Sequence, residues 1–238
     1  GAYKDIDVLF GESAVDPRLG YNILDDVVFG ENEKQPMYLS AHHMSDATKK
    51  EDMKFNGKTN KILLTEKEQA AFKILQIADL HYAIGKGKCK DVYPEDKFVK
   101  NCEADVLTTK FIDKILDIEK PNFVVFSGDQ IMGDLCTDDS ESCLLKVINP
   151  LVKRKINYTM IWGNHDDEGS LSREQLSKFA ETLPYSQYQH TTINEDEING
   201  YGNNLLKMQN EDEETILKLF LLDSHKYSPK PKIYPGYD

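Results

Sequence analysis

The chain has 238 residues, a length that suits one large α/β domain or one domain with a smaller appendage. Hydrophobic residues make up 39% and charged residues 29%, which excludes a wholly disordered chain, and the absence of a run of about 18 apolar residues excludes a membrane span. The formal net charge of minus 12 repels polyanions, so we expect no nucleic-acid partner, and a phosphate site would need its own cations.

Residues 1–71 are predicted to be an N-terminal extension with a few short strands. Apolar pieces such as Ile6 to Phe10 fit edge strands in a segment otherwise rich in Asp, Gly, Asn and Lys. The charged stretch from Ser40 to Thr65 is interpreted as a solvated loop that leads into the core. We expect His42 and His43, within it, to be surface residues.

Strands alternate with helices from Phe72 onward. Three apolar runs predict buried parallel strands, namely Phe72 to Ala78, Phe123 to Phe126 and Tyr158 to Trp162. Helical spacing and capping residues predict three helices, namely Ala104 to Glu119, one from Asp138 towards Lys153, and one that starts at Ser172. This alternation implies right-handed crossovers and a mostly parallel sheet. Later apolar runs near Leu205 to Met208 and Ile216 to Leu222 are candidates for a second sheet.

The four cysteines fall into two local pairs, Cys89 with Cys102 and Cys136 with Cys143. Neither spacing is a zinc-binding C-x-x-C motif. Two short-loop disulfides and four free thiols both remain open from the sequence.

Side chains suited to metal binding follow each of the three parallel strands. In chain order they are Asp79 and His81, then Asp129 after Gly128, then Asn164, His165 and Asp166 after Gly163. Carboxylate and amide oxygens mixed with imidazole suit Mn, Fe, Zn or Mg rather than a thiolate-bound structural zinc. Glycines at the turns let the backbone approach a metal or phosphate closely. The Asp-x-His and Gly-Asp motifs alone are common, whereas Gly-Asn-His-Asp is rare. All three after apolar strands indicate a metal site in which Asp129, from the middle element, is placed to bridge two ions.

The order D-x-H, G-D, G-N-H-D resembles the calcineurin-like metallophosphoesterase superfamily, which includes the purple acid phosphatases. The segments Phe72 to Tyr82, Leu171 to Glu174 and Leu221 to Ser224 resemble the fungal dosage-dependent cell cycle regulator phosphatases and plant purple-acid-phosphatase-like proteins of that branch. The resemblance implies an α/β fold with a βαβαβ core and a mixed, mostly parallel sheet, within a four-layer α/β/β/α sandwich in the complete family fold. Residues 72–238 would then be the N-terminal portion of the catalytic domain, with the C-terminal part missing.

The resemblance also implies roles for the motif residues. Asp79 and His81 would be ligands of the first metal, Asp129 the bridge, and Asn164 a ligand of the second. His165 would contact the substrate phosphate or protonate the leaving oxygen, with Asp166 orienting its ring. The cofactors would be two divalent or trivalent ions, Mn, Fe or Zn, whose bridging hydroxide attacks phosphorus.

The sequence departs from the family pattern in three places. Met132 stands where purple acid phosphatases have a tyrosine, so ferric-tyrosinate chemistry is not expected. The family completes its metal shell with later histidines, including a Gly-His-x-His motif that does not occur here, so we expect this stretch alone to be inactive. His225 follows an apolar strand, but we interpret it as an exposed loop residue rather than a replacement ligand.

The favoured function is therefore that of a phosphomonoesterase acting on a phosphorylated substrate such as a phosphoprotein. Family analogy places it in the cytoplasm. The alternative within enzymes is a phosphodiesterase that uses the same metal site. The alternative outside enzymes is a truncated or non-catalytic binding protein.

Overall fold

A computed structural model of the chain describes residues 2–29, 35–43, 61–90, 92–93, 102–189, 200–224, 227 and 232–233. Its strands are β1 (Tyr3–Phe10), β2 (Tyr21–Phe29), β3 (Met37–His43), β4 (Lys61–Leu63), β5 (Ile74–Ile77), β6 (Phe123–Phe126), β7 (Asn157–Met160), β8 (Asn204–Gln209) and β9 (Thr215–Leu221). Its helices are α1 (Glu66–Ala70), α2 (Ala104–Glu119), α3 (Ser140–Arg154) and α4 (Arg173–Thr182). None of the described helices is long and apolar enough to cross a membrane.

The central sheet has the strand order β5-β6-β7, with both pairs parallel. Helices α2 and α3 are the crossovers, so the predicted βαβαβ core and α/β class are confirmed. The register pairs Ile77 with Phe126 and Phe126 with Met160. The three carboxyl ends therefore lie side by side at one edge, and the loops that carry the motif residues begin there.

Strand β6 joins two hydrophobic layers because successive side chains of a strand point to opposite faces. Val124 and Phe126 pack in the larger core with the buried face of α3. Phe123 and Val125 pack in a smaller core against the second sheet. A strand that is buried on both faces has a continuous run of apolar residues, and β6 was therefore predictable from the sequence.

The second sheet has the order β4-β8-β9. Strands β8 and β9 pair antiparallel, which confirms the two later apolar runs as neighbours in a sheet. Strand β4 pairs in parallel with β8, although Lys61–Leu63 falls in the stretch interpreted from sequence as a solvated loop. That interpretation is wrong at β4, because pairing with a distant strand gives these three residues their extended conformation.

The N-terminal sheet has the order β1-β3-β2 and is antiparallel. The loop interpretation is also wrong at Ser40–His43, which belong to β3, while residues 44–60 lie outside the described part of the chain. Leu9 has no exposed surface and packs in the larger core. The backbone N–H of Phe10 donates to Ser142 Oγ at 2.9 Å. The N-terminal sheet is therefore docked on α3.

Both cysteine pairs are disulfide-bonded. Cys89 and Cys102 have a Cα–Cα distance of 5.5 Å, and Cys136 and Cys143 one of 6.5 Å. The question left open by the sequence is thus answered in favour of disulfides.

Candidate active site

The loops that follow β5, β6 and β7 are held together by main-chain contacts. The N–H of Asp79 donates to Gly128 O at 3.1 Å, and the N–H of His81 donates to Asp129 O at 3.0 Å. The N–H of His165 donates to Asp129 Oδ1 at 3.0 Å. We call the side chains gathered here the three-loop site, comprising Asp79, His81, Asp129, Asn164 and His165.

Three of these side chains form a group that could hold a metal ion. Ligand atoms of Asp79, His81 and Asp129 all lie within 4.8 Å of one another. His81 Nε2 is 3.8 Å from Asp79 Oδ1 and 4.0 Å from Asp129 Oδ2, too far for hydrogen bonds. Two ligands of one ion, each about 2.1 Å from it, lie roughly 3 to 4 Å apart, so these separations suit a shared cation. Two carboxylates would balance the charge of a divalent ion.

The backbone at the same three residues adopts an uncommon conformation. Asp79, His81 and Asp129 have φ values of 57°, 50° and 52° in the left-handed region. Such a conformation costs about 1–3 kcal/mol per residue and is retained where the surroundings fix it, typically at active sites. The coincidence of strained backbone with candidate ligands supports a functional role for this group.

Gly128 and Gly163 let two of the loops touch. Gly128 has a φ of 117°, which favours glycine. A Cβ on Gly163 would lie 2.1 Å from Asp129 Oδ1 and 2.4 Å from Asp129 N. Any side chain at residue 163 would therefore displace Asp129 from the position in which it faces His81.

Asp166 is fully buried beneath the site and acts on the backbone. Its carboxylate accepts hydrogen bonds from the N–H groups of Asp129 (3.0 Å), Ile131 (3.0 Å) and Gly163 (2.6 Å). Burial raises the pKa of Asp166 to about 6, although these hydrogen bonds act in the opposite direction. This differs from the expectation that Asp166 orients the ring of His165, since its oxygens are engaged by the loops.

The ring of His165 is instead held by Glu168. His165 Nδ1 lies 2.7 Å from Glu168 Oε2, and this hydrogen bond raises the pKa of the imidazole. The short 3₁₀ turn Asp166–Glu168 brings the carboxylate back towards the ring three residues earlier. The rings of His165 and His81 have centroids 5.4 Å apart, so the imidazole lies beside the candidate metal ligands. Sequence reasoning missed Glu168, although the spacing of three in a turn was an available signal.

Asn164 lies on the same loop and contacts Tyr227. Its Nδ2 donates to the Tyr227 hydroxyl at 2.6 Å, which leaves the amide oxygen available as a ligand atom. The Tyr227 ring also contacts His165 edge-on, with centroids 6.2 Å apart. No sequence signal pointed to Tyr227, which is 63 residues away. His225, weighed from sequence as a ligand, lies outside the described residues.

The sequence of this chain is similar to those of known proteins. The family model for calcineurin-like phosphoesterases matches residues 72–234. Phosphatase DCR2 of Saccharomyces cerevisiae is 42% identical over 241 residues, covering 99% of this chain and 39% of that protein. Two Arabidopsis thaliana proteins are also similar. Probable inactive purple acid phosphatase 29 is 36% identical over an alignment that covers 70% of this chain and 43% of that protein. Probable inactive purple acid phosphatase 28 is 33% identical over an alignment that covers 66% of this chain and 42% of that protein. The chain thus spans less than half the length of these relatives.

Proposed function

Because this chain belongs to the calcineurin-like phosphoesterase family, we propose that it hydrolyses phosphate monoesters in a metal-dependent reaction at the three-loop site. The observation that carries the proposal is the convergence of Asp79, His81 and Asp129, whose ligand atoms lie within 4.8 Å of one another at adjoining strand ends. Similarity to a yeast protein named a phosphatase supports phosphoester hydrolysis.

The donor set fits the divalent metals that the family uses. Asp79, His81 and Asp129 would hold one ion, and Asp129 with the amide oxygen of Asn164 would hold a second. When bound, such ions neutralise charge on the phosphoryl oxygens and make water a better nucleophile. The neutral amide of Asn164 fits a hard cation without adding negative charge where a phosphate dianion must bind.

In this proposal His165 protonates the leaving oxygen. Because Glu168 accepts at Nδ1, that nitrogen carries a proton, and Nε2 is left to exchange one with the substrate. The hydrogen bond to the Glu168 carboxylate favours the protonated ring that a general acid requires. Asp166 contributes by fixing the backbone on both sides of the site.

The decisive assay compares a monoester with a diester. The natural full-length protein that contains this sequence is freed of metal, supplied with Mn²⁺, and given 4-nitrophenyl phosphate or bis(4-nitrophenyl) phosphate. We expect the monoester to be hydrolysed with a kcat/KM at least about tenfold above that of the diester, since two cations suit the dianionic phosphate of a monoester better than the monoanionic phosphate of a diester. A preference for the diester would favour the phosphodiesterase alternative.

A matched pair of variants links the activity to the site. Asp129→Asn should weaken Mn²⁺ binding, measured by calorimetry, and lower kcat by at least about a hundredfold, whereas Asp138→Asn, at an exposed position, should change neither. Equal effects of the two variants would contradict the assignment. Tight Mn²⁺ binding with no hydrolysis of either ester would favour a non-catalytic protein, as the names of the two plant relatives state for those proteins.

The compartment is a separate proposal. The cytoplasmic expectation came from family analogy, whereas the bonding of all four cysteines supports an oxidising compartment. Alkylation of the protein in freshly lysed cells without reductant should label no cysteine. Labelling of all four would instead support the cytoplasm.

A further inference from the structure

A pocket of about 370 Å³ opens beside the three-loop site, and His81 forms part of its wall. This volume lies near the lower end of the range of roughly 300–1,000 Å³ found for small-molecule sites. We call it the His81 pocket. Its lining is mostly apolar and includes Leu80, Ala83, Val92, Leu107, Met132 and Leu135. The lining also includes Asp105, whose carboxylate is paired with Lys146. Because His81 belongs to both sites, a substrate whose phosphate sits among the candidate ligands would lie next to this pocket.

Part of the wall of the His81 pocket is anchored to α2. Leu107 lies on α2, and the loop residue Cys89 is tied by its disulfide to Cys102, two residues before that helix begins. Leu107 and Leu135 are 41% and 50% exposed. Apolar surface left open to water in a pocket favours binding of an apolar group, at roughly 25 cal/mol per Å² buried.

Two lysines add positive charge to the same pocket. Lys88 and Lys90 line it and are exposed, and neither forms an ion pair with the residues that the structure describes. Lys86, two residues earlier, is by contrast neutralised by Glu12 at 2.9 Å and Glu103 at 3.0 Å. In a chain of net charge minus 12, two such cations beside a catalytic cleft favour an anionic ligand.

We infer that the His81 pocket binds a phosphopeptide with a bulky apolar residue next to the phosphorylated residue and acidic residues further along. This inference rests on the proposed function. A sugar phosphate would gain nothing from the apolar lining. The acyl chains of a phospholipid exceed the volume of the pocket. A peptide side chain of the size of phenylalanine fits the apolar lining, and its acidic neighbours reach Lys88 and Lys90.

The test uses two phosphoserine peptides that differ only in having Phe or Ser on either side of phosphoserine, each followed by aspartates. For the wild type we expect kcat/KM to be about 10- to 100-fold higher for the Phe peptide than for the Ser peptide, because the Phe peptide has the lower KM. Leu107→Asp should bring this ratio close to one. Phe111→Asp is the matched control, since Phe111 is 61% exposed one turn further along α2 and does not line the pocket, and it should keep the ratio.

The charge contribution is tested separately. Lys88→Glu with Lys90→Glu should lower kcat/KM for the acidic Phe peptide about tenfold at low ionic strength and remove much of its salt dependence. The control with the same charge change is Lys114→Glu with Lys218→Glu. It should leave kcat/KM and its salt dependence within about twofold of the wild type. An equal loss in the two double variants would show a general field effect and overturn the role of Lys88 and Lys90.

The remaining outcomes separate this inference from the proposed function. Equal wild-type rates on both peptides, or faster hydrolysis of phosphatidic acid in vesicles than of the Phe peptide, would overturn the inference while leaving the phosphatase activity intact. If the wild type hydrolyses no monoester, the proposed function fails. Anisotropy measurements on the two fluorescein-labelled peptides then still test whether the pocket binds the phosphopeptide. Tighter binding of the Phe peptide that depends on Leu107 would support it, and equal binding would overturn it.

Discussion

The imidazole of His165 can donate a proton to a leaving oxygen only if its ring is held in one orientation. The contact of 2.7 Å with Glu168 provides that orientation, while Asp166 is occupied by three backbone amides. Two carboxylates two residues apart thus have different roles, because one is buried under the loops and the other is half-buried beside the ring.

Replacing Glu168 with alanine should lower kcat about 10- to 100-fold for an alkyl phosphate, because the ring loses its orienting acceptor. The loss should be smaller for 4-nitrophenyl phosphate, whose leaving group needs less protonation. Glu168→Gln keeps an acceptor for the Nδ1 proton and should restore part of the rate. A loss that is equal for both esters, with no rescue by glutamine, would show that Glu168 acts only on stability.

Gly163 should be needed for metal binding, because it lies against Asp129. Gly163→Ala should weaken Mn²⁺ binding at least about tenfold, because its Cβ would lie 2.1 Å from Asp129 Oδ1 and displace the carboxylate. Gly202→Ala is the control, since the nearest atom to its Cβ would be Tyr188 Oη at 3.4 Å. Calorimetric titration of both variants provides the comparison, and unchanged affinity in Gly163→Ala would contradict the close packing of the loops.

At the scale of elements, α3 connects the site to the rest of the fold. Lys146 on this helix is 5% exposed and donates to the carbonyl oxygens of Ala83 and Gly85 and to the carboxylate of Asp105. Asp105 in turn accepts from the N–H of Ala83. This buried pair fixes the loop that carries His81 against both crossover helices.

Lys146→Met should destabilise the protein by about 3–5 kcal/mol, because it leaves the Asp105 carboxylate buried without its partner. Lys153→Met, at an exposed position on the same helix, should cost less than about 0.5 kcal/mol. Urea unfolding of the two variants measures the difference. If Lys146→Met is no less stable than Lys153→Met, the buried ion pair is not needed for stability.

Some elements of this fold were predictable from the sequence and others were not. Helix α2 and the start of α4 were predictable because hydrophobic periodicity and helix caps are local features of the sequence. Helix α4 begins with the expected capping box, formed by Ser172 and Gln175. Strand β4 was not, because three residues show no period and their partner β8 is far along the chain. The group of Asp79, His81 and Asp129 was predicted because each residue follows a strand. The contact of Asn164 with Tyr227 depends on tertiary folding alone.

The whole molecule combines a parallel α/β core with an N-terminal sheet docked through an acidic junction. Glu141, at the start of α3, lies near Asp139, Asp7 and Asp16. Burial, followed by the nearby Asp139 and Asp7, raises the pKa of Glu141 to about 7 from its ordinary value of 4.5. The like charges at this junction are tolerated because Arg18 bridges Asp7 at 2.8 Å and Asp16 at 2.6 Å.

The raised pKa of Glu141 makes stability depend on pH in a defined direction. The folded state binds the proton more tightly than the unfolded state, so this stabilisation is complete below about pH 4.5 and is lost as the pH rises through about 7. Glu141→Gln carries no charge at any pH and should therefore be more stable than the wild type at pH 8. We expect a gain of about 1–2 kcal/mol, reduced from the full linkage value because the side chain is partly exposed.

Urea unfolding at pH 4.5 and pH 8 tests this against Glu211→Gln, which removes a charge from the exposed turn between β8 and β9. The Glu141 variant should approach the wild type at pH 4.5 and exceed it at pH 8, whereas the control should differ little at either pH. Because Glu141 lies where the N-terminal sheet meets α3, hydrogen exchange should place the gained protection in β1 and β3. A gain of the same size at both pH values would mean that the carboxylate destabilises the fold without titrating, and the proposed acidic junction would then be wrong.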